Sequence, residues 1–155
     1  MKTVILEYAL TRTDAHEPQR ANPSDAGLDV FYSPENPDQA IAIDPGVSRI
    51  VPTGLRFGVP HGYMIEVKNR SSVAAKRSLI VGACVVDSGY DGEVFVNLHN
   101  IGKQTQYIRS GDKIAQLVMI PVVHFRPMQS KSGDLYRTGI TISDRGDGAL
   151  GSTGA

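Results

Sequence analysis

The chain has 155 residues, enough for one domain with a sizeable core and too short for two of ordinary size. Its 16 Lys and Arg balance 16 Asp and Glu, which excludes the broad basic surface needed to live on bulk nucleic acid but leaves room for a site gripping one small anion. Apolar residues at 41% and charged residues at 21% make a soluble globular composition, and the single cysteine, Cys84, excludes an internally disulfide-stapled scaffold.

In chain order, the amino-terminal MKTVILEYAL is interrupted by Glu7 and followed by no small-residue cleavage site, so a strand over Thr3 to Leu10 is expected rather than a leader. Arg49 to Val51, Tyr63 to Lys68, Leu79 to Val86, Glu93 to Leu98, Thr105 to Ile108 and Ile114 to Val123 also read as strands. They are short and rich in Val and Ile, and some alternate, as in Tyr63-Met64-Ile65-Glu66-Val67-Lys68. Turn signals separate them: Asn22-Pro23-Ser24-Asp25, Pro34 to Pro37, Asp44-Pro45-Gly46, Pro60-His61-Gly62, Ser88-Gly89 and Ser110-Gly111-Asp112. Only Ser71 to Arg77 reads as a helix, with serine hydroxyls at its start available to cap orphan amides. The pattern predicts an all-β sandwich, jelly roll or barrel with one short helix. The longest apolar run, Leu79 to Val86, is far below the roughly 20 residues of a membrane span, so a cytoplasmic protein with no membrane partner is expected.

The end of the chain is different. From Asp144 it reads DRGDGALGSTGA, with almost nothing to bury, and such a segment does not offset its own ordering entropy of about 1–2 kcal/mol per residue. A flexible glycine-rich tail is expected over 143–155, following a β domain over 1–142. Its glycines, arginine and hydroxyls suit it to wrapping an anion. Gly146-x-Gly148-x-x-Gly151 matches the dinucleotide fingerprint as a string, but four residues remain after it and no helix can follow. A GxxxxGK[ST] phosphate loop is absent, and His16, His61, His99 and His124 lack metal-ligand spacing. Cys84, inside an apolar run, reads as a buried hydrophobe rather than a nucleophile.

Three loops carry chemistry-bearing residues. Asp25-Ala26-Gly27-Leu28-Asp29 places two carboxylates around a glycine, either a solvated turn or an acidic site. Asn69-Arg70-Ser71-Ser72 puts a guanidinium and two hydroxyls at a helix start, either a plain cap or an anion site. Asp87, ending an apolar strand before Ser88-Gly89-Tyr90-Asp91-Gly92, is either a turn former or a general base made more basic by a partly dry setting.

Together with Gly111-Asp112-Lys113-Ile114-Ala115-Gln116-Leu117 and Arg145-Gly146-Asp147-Gly148-Ala149-Leu150-Gly151-Ser152-Thr153-Gly154, the loops resemble, in order and spacing, the five motifs of the trimeric dUTP pyrophosphatases. The third motif spans Gly82 to Glu93. The resemblance implies a jelly-roll-like fold, a homotrimer with sites built from more than one subunit, and Mg²⁺-dependent hydrolysis of dUTP to dUMP and pyrophosphate by water attack at the α-phosphorus. It implies that Asp87 orients and deprotonates the water and contacts the 3′-hydroxyl. Tyr90 would pack on the sugar and exclude a 2′-hydroxyl, and the hairpin from Gly82 through Val85 and Val86 would read uracil with backbone groups. Arg70, Ser71, Ser72 and Gln116 would hold the phosphates, and Asp29 would act on Mg²⁺ through bound water. Arg145, Ser152 and Thr153 would close over the γ-phosphate, with Leu150 over the base.

Two departures stand out. Ser72 occupies the glycine position of the usual Arg-Ser-Gly, and Ala149-Leu150 replaces a Gly-Phe whose ring stacks on uracil. Aromatic stacking contributes about 1–3 kcal/mol per base, so a weaker lid and a higher KM are expected. No role follows for Arg126 to Ser143. Two rival readings differ in class. A dCTP deaminase shares the fold, but its catalytic glutamate falls where this chain has Asn97, leaving the proton transfers without their acid/base. A non-catalytic β interaction module has no physical need to keep Asp87, Arg70 and Arg145 together.

Overall fold

Apolar alternation is resolved into eleven strands and one helix in the computed structural model, which describes residues 3–137, 139–151 and 154. The strands are β1 (Glu7–Leu10), β2 (Leu28–Phe31), β3 (Ile41–Ile43), β4 (Ser48–Pro52), β5 (Leu55–Gly58), β6 (Tyr63–Lys68), β7 (Leu79–Val81), β8 (Val85–Val86), β9 (Phe95–Asn100), β10 (Gln106–Ile108) and β11 (Lys113–Pro121). Helix α1 spans Ser71–Arg77. The pairings are antiparallel and form a four-stranded sheet in the order β2-β11-β6-β8, a three-stranded sheet β4-β9-β7, and the pairs β1-β5 and β10-β3. Alternating side chains close a core that includes Val30, Leu55, Ile65, Leu79, Leu98 and Ile108, all fully buried. Tyr32 is buried against it, and burial pushes its phenol above the usual tyrosine range.

The helix and β6 fall where the sequence placed them, and three strands, β2, β3 and β5, were not expected. Only Glu7–Leu10 of the expected amino-terminal strand pairs, against β5. The apolar run Leu79 to Val86 is two strands, not one, and Gly82 is the reason. A Cβ there would lie 2.3 Å from Asn97 Oδ1 and 2.4 Å from His99 Nε2, so a larger residue would have to push both side-chain ends aside where the chain passes β9. The Gly82 amide donates to the Asn97 carbonyl at 2.8 Å, after which the chain leaves β9 and pairs with β6 in the other sheet. Cys84, on this crossing, is only partly buried.

A bulge in β11 sets the register of the functional side chains. Lys113 faces Phe31 and Ala115 faces Val30, so Ile114 is extra and the consecutive residues Ile114 and Ala115 are both buried. Beyond the bulge Gln116 stands opposite Asp29 on one side and Lys68 on the other. Helix α1 starts without the expected serine cap: Arg70 is the N-cap residue, in extended conformation, and no side chain bonds the first-turn amides.

The residues through His124 form one compact unit and those from Phe125 a second. In the second unit no helix or strand occurs among the described residues. Arg145 Nε donates to the Gly148 carbonyl at 2.7 Å, and Leu150 is exposed at φ +44°.

Candidate active site

The first cleft, about 310 Å³, is lined by Ala21, Asp25, Ala26, Gly27, Asp29, Arg70, Ser71 and Gln116. Three elements supply its polar groups: β2 carries Asp29, β11 carries Gln116, and the junction of β6 with α1 carries Arg70 and Ser71. Asp29 is nearly buried and its carboxylate is shared by two cations. Arg70 Nε donates to Oδ1 at 2.9 Å, and Lys113 Nζ lies 3.1 Å from Oδ2. Gln116 Nε2 donates to the Asn69 carbonyl at 2.8 Å, while Asn69 Oδ1 accepts from the Val81 amide at 2.8 Å. Asn69 thus ties β7 to the floor of the cleft. Its adjacency to Arg70 was the only sequence signal for this, and for Lys113 the signal was proximity to Gln116 in the fourth motif.

Asp25 is a turn former, with Oδ2 accepting from the Asn22 amide and from Asn22 Nδ2, both at 3.0 Å. Gly27 has a steric duty: a Cβ would lie 1.8 Å from Gln116 Oε1. Ser72 is not in this cleft; it lines a neighbouring depression with Arg70, Val73, Lys76, Arg77, Asp112 and Lys113.

The second cleft, about 240 Å³, contains Val85, Val86, Asp87 and Tyr90 together with Val67, Ala83, Cys84, Glu93, Val94 and Phe95. Asp87 closes a turn by accepting the Tyr90 amide at 3.2 Å, and Gly89 takes φ +91°, which a side chain would strain. Asp87 is exposed, so the partly dry setting expected for it is not supplied by these residues. Gly82 does not line the cleft; it precedes Ala83, which does, and lies against β9. There Asn97 Oδ1 accepts the Ala83 amide at 3.3 Å and lies 3.0 Å from His99 Nε2.

The two clefts share no residue; Asp29 comes from edge strand β2, whereas Asp87 follows β8 at the opposite edge of the same sheet. Three strand spacings separate those edges by about 14 Å. Asp29 shares a row with Gln116 and Lys68, whereas Asp87 continues β8 beside Met64, four residues along β6 from Lys68 and so about 13 Å away. Asp87 and the Asp29–Arg70 pair are therefore roughly 19 Å apart along the sheet.

The family model described as dUTPase matches residues 13–154. The chain belongs to the dUTPase family. Its relatives include the deoxyuridine 5'-triphosphate nucleotidohydrolases of Gloeobacter violaceus, 37% identical over 139 residues covering 88% of each chain, and of Desulfotalea psychrophila, 39% identical over 131 residues covering 83% of this chain and 81% of the relative. The fold is the jelly-roll-like dUTPase fold. A glycine-to-serine variant of the Staphylococcus bacteriophage 80alpha dUTPase with dUpNHpp superposes with a TM-score of 0.80 at 23% identity, covering 99% of this chain and 100% of that one. The dUTPase from phage phi11 of S. aureus gives 0.74 at 25% identity over 83% of this chain and 97% of its own.

Within this dUTPase chain, Asp29, Arg70, Ser71 and Gln116 are gathered in one cleft and Val85, Val86, Asp87 and Tyr90 in the other. Arg145 and Leu150 belong to the second unit, while Ser152 and Thr153 lie outside the described residues. Among the described residues no group of three or more His, Cys, Asp or Glu could hold a metal, and no helix is long and apolar enough to cross a membrane.

Proposed function

We propose that this dUTPase hydrolyses dUTP to dUMP and pyrophosphate by water attack on the α-phosphorus, at sites completed between subunits of a homotrimer in the cytoplasm. The observation that carries the reading is the division of the chemistry into a polar, hydrogen-bonding cleft that holds the Asp29–Arg70 pair, Ser71 and Gln116, and a largely apolar hairpin cleft that holds Asp87 and Tyr90. The base must come within about 2.6–3.2 Å of the proton it takes, or reach it through one water, while Arg70 holds the phosphates, so serving one substrate requires most of their roughly 19 Å backbone separation to be closed. Asp87 of one subunit meeting the Arg70 cleft of another resolves the distance.

In that site Asp87 orients the water and accepts its proton while contacting the 3′-hydroxyl. Tyr90 packs on the sugar and leaves no room for a 2′-hydroxyl. The Gly82–Val86 hairpin reads uracil through its backbone groups. Arg70, Ser71 and Gln116 hold the phosphates, with Ser72 contributing from the adjoining depression. Arg145, Ser152 and Thr153 close over the γ-phosphate and Leu150 covers the base, making 143–155 a lid on the domain formed by 1–142.

The donor set fits Mg²⁺ held through water. Both Asp29 oxygens are already engaged by Arg70 and Lys113, leaving secondary lone pairs for hydrogen bonds from an ion's hydration shell rather than a vacant inner-sphere ligand. When bound, Mg²⁺ supplies neutralisation of phosphate charge. Deamination of dCTP is not favoured, because Asn97 is an amide spent on the Ala83 amide and His99 where that chemistry needs a carboxylate.

The test is product identification with Mg²⁺ and, separately, dUTP, dCTP, dTTP and UTP. Pyrophosphate and dUMP from dUTP alone is the expected outcome. Uracil nucleotide from dCTP would move the chain to deaminase chemistry, and turnover of nothing would leave a binding module.

A further inference from the structure

Discrimination against a 2′-hydroxyl requires the Tyr90 ring to hold one position, and the ring itself is half exposed. Its hydroxyl donates to the Glu93 carbonyl at 2.8 Å. Gly92 lies beneath it: a Cβ there would come within 2.5 Å of the hydroxyl oxygen and 2.6 Å of Cζ, closer than non-bonded atoms pack. The ring is thus folded back on its own turn, and its place depends on where Glu93 is held.

Glu93 is held from the far end of the sequence. Its Oε1 accepts from Thr11 Oγ1 at 2.9 Å and from Arg12 Nη1 at 2.9 Å. The Glu93 and Arg12 side chains are only 14% and 20% exposed, so the pair is less screened than a surface ion pair. Arg12 is itself fixed, its other Nη donating to the Ser33 carbonyl and its Nε buried with no hydrogen-bond partner among the described residues. On the other side of Glu93, the Val94 amide donates to the Leu55 carbonyl at 2.8 Å, and the Val94 carbonyl accepts Thr53 Oγ1 at 2.6 Å.

We infer that Thr11 and Arg12, acting through Glu93, are positioning residues that hold the Tyr90 ring and so set the selectivity of the site for deoxyribose over ribose. The inference rests on Tyr90 being the sugar gate of the proposed dUTP site. A bridge that only tied the first strand to the fold would change stability and leave sugar selectivity alone.

The experiment measures kcat/KM for dUTP and UTP on the purified full chain, with folding checked by circular dichroism. Thr11→Val combined with Arg12→Met raises the UTP/dUTP ratio about tenfold, a loss of the size expected for a half-buried charged hydrogen bond. Tyr90→Phe raises it as well, and Arg12→Lys keeps it within a few-fold of the parent. Asp91→Asn, in the same turn but bonded to Arg56 alone among the described residues and at an exposed site, leaves the ratio unchanged. A folded double variant with the parent ratio overturns the inference, as does an equal rise in Asp91→Asn. If the double variant does not fold, Thr11→Val alone is judged against a rise of about threefold. A parent that turns over neither nucleotide removes the dUTPase reading itself. A parent that turns over both equally removes the Tyr90 gate while leaving that reading in place.

Discussion

Gly27→Ala tests whether Gln116 works in the cleft, because its effect is almost wholly indirect. The added Cβ would lie 1.8 Å from Gln116 Oε1, 2.7 Å from Cδ and 3.0 Å from Cβ. The first two atoms are the mobile end of the side chain and swing away, whereas the Gln116 Cβ is fixed by pairing with Asp29 and Lys68 and yields only by a few tenths of an ångström. Swinging out breaks the bond from Gln116 Nε2 to the Asn69 carbonyl, worth about 1 kcal/mol. Overpacking adds about 1–3 kcal/mol, and the stiffer unfolded chain returns about 0.4–1 kcal/mol. Net destabilisation of about 1–3 kcal/mol is expected in denaturant melts. For catalysis, a lost hydrogen bond to a charged phosphate amounts to about 1.5–3 kcal/mol, roughly a 10- to 100-fold fall in kcat/KM for dUTP. Gln116→Ala should produce a similar fall, and the two changes together no more than either alone, since both remove the same amide from the cleft. An undiminished further loss when Gly27→Ala is added to Gln116→Ala would refute the reasoning and place the function of Gly27 in the backbone instead.

Asp87→Asn should keep dUTP binding in calorimetry and lower kcat by about 10²–10⁴, and retained turnover removes Asp87 from the role of base. Mixed oligomers refolded from equal amounts of Asp87→Asn and Arg70→Ala chains should recover about a quarter of the parent activity, the fraction of sites drawing both intact halves from different chains, and no recovery refutes shared sites. Truncation after Ile142 should leave the core-bearing unit folded and oligomeric with severely reduced hydrolysis, since that core ends before His124; full activity removes the lid. Leu150→Phe should lower KM for dUTP by about fivefold or more through stacking, and an unchanged KM ends the argument that leucine weakens the lid.

Local signals were legible where they agreed with each other. Tyr63 to Lys68 alternates between flanking turns, and Ser71 to Arg77 lies between an extended arginine and a left-handed Ser78, so both elements fall where the sequence placed them. Leu79 to Val86 misled because composition does not reveal that a glycine lies against Asn97 and His99 and turns the chain into another sheet. Leu28–Phe31 carries no strand signal in the sequence because Asp29 follows a glycine turn and breaks its apolar run, and Ile41–Ile43 is too short for alternation to register. Asp29, Arg70 and Gln116 were legible as candidates from their motifs, but their gathering in one cleft depends on the β11 bulge, which no string announces. The bridge from Arg12 to Glu93 spans 81 residues and joins two charges that each read as ordinary surface.

Keeping the two clefts apart on one chain has a chemical consequence. The phosphate cleft and the depression beside it carry Arg70 and Lys113, and a carboxylate placed there is captured, as Asp29 is by both. A carboxylate so captured has its oxygens directed at the cations rather than at a water. Asp87 makes no ion pair among the described residues and sits in a cleft whose other side chains are largely apolar. In the proposed trimer Asp87 would reach the cations only through a second subunit, with the triphosphate lying between, so that the phosphates take the positive charge while the carboxylate stays free for the water. An Asp87 built beside Arg70 on the same chain would form the Asp29 arrangement a second time, its oxygens engaged before substrate arrived.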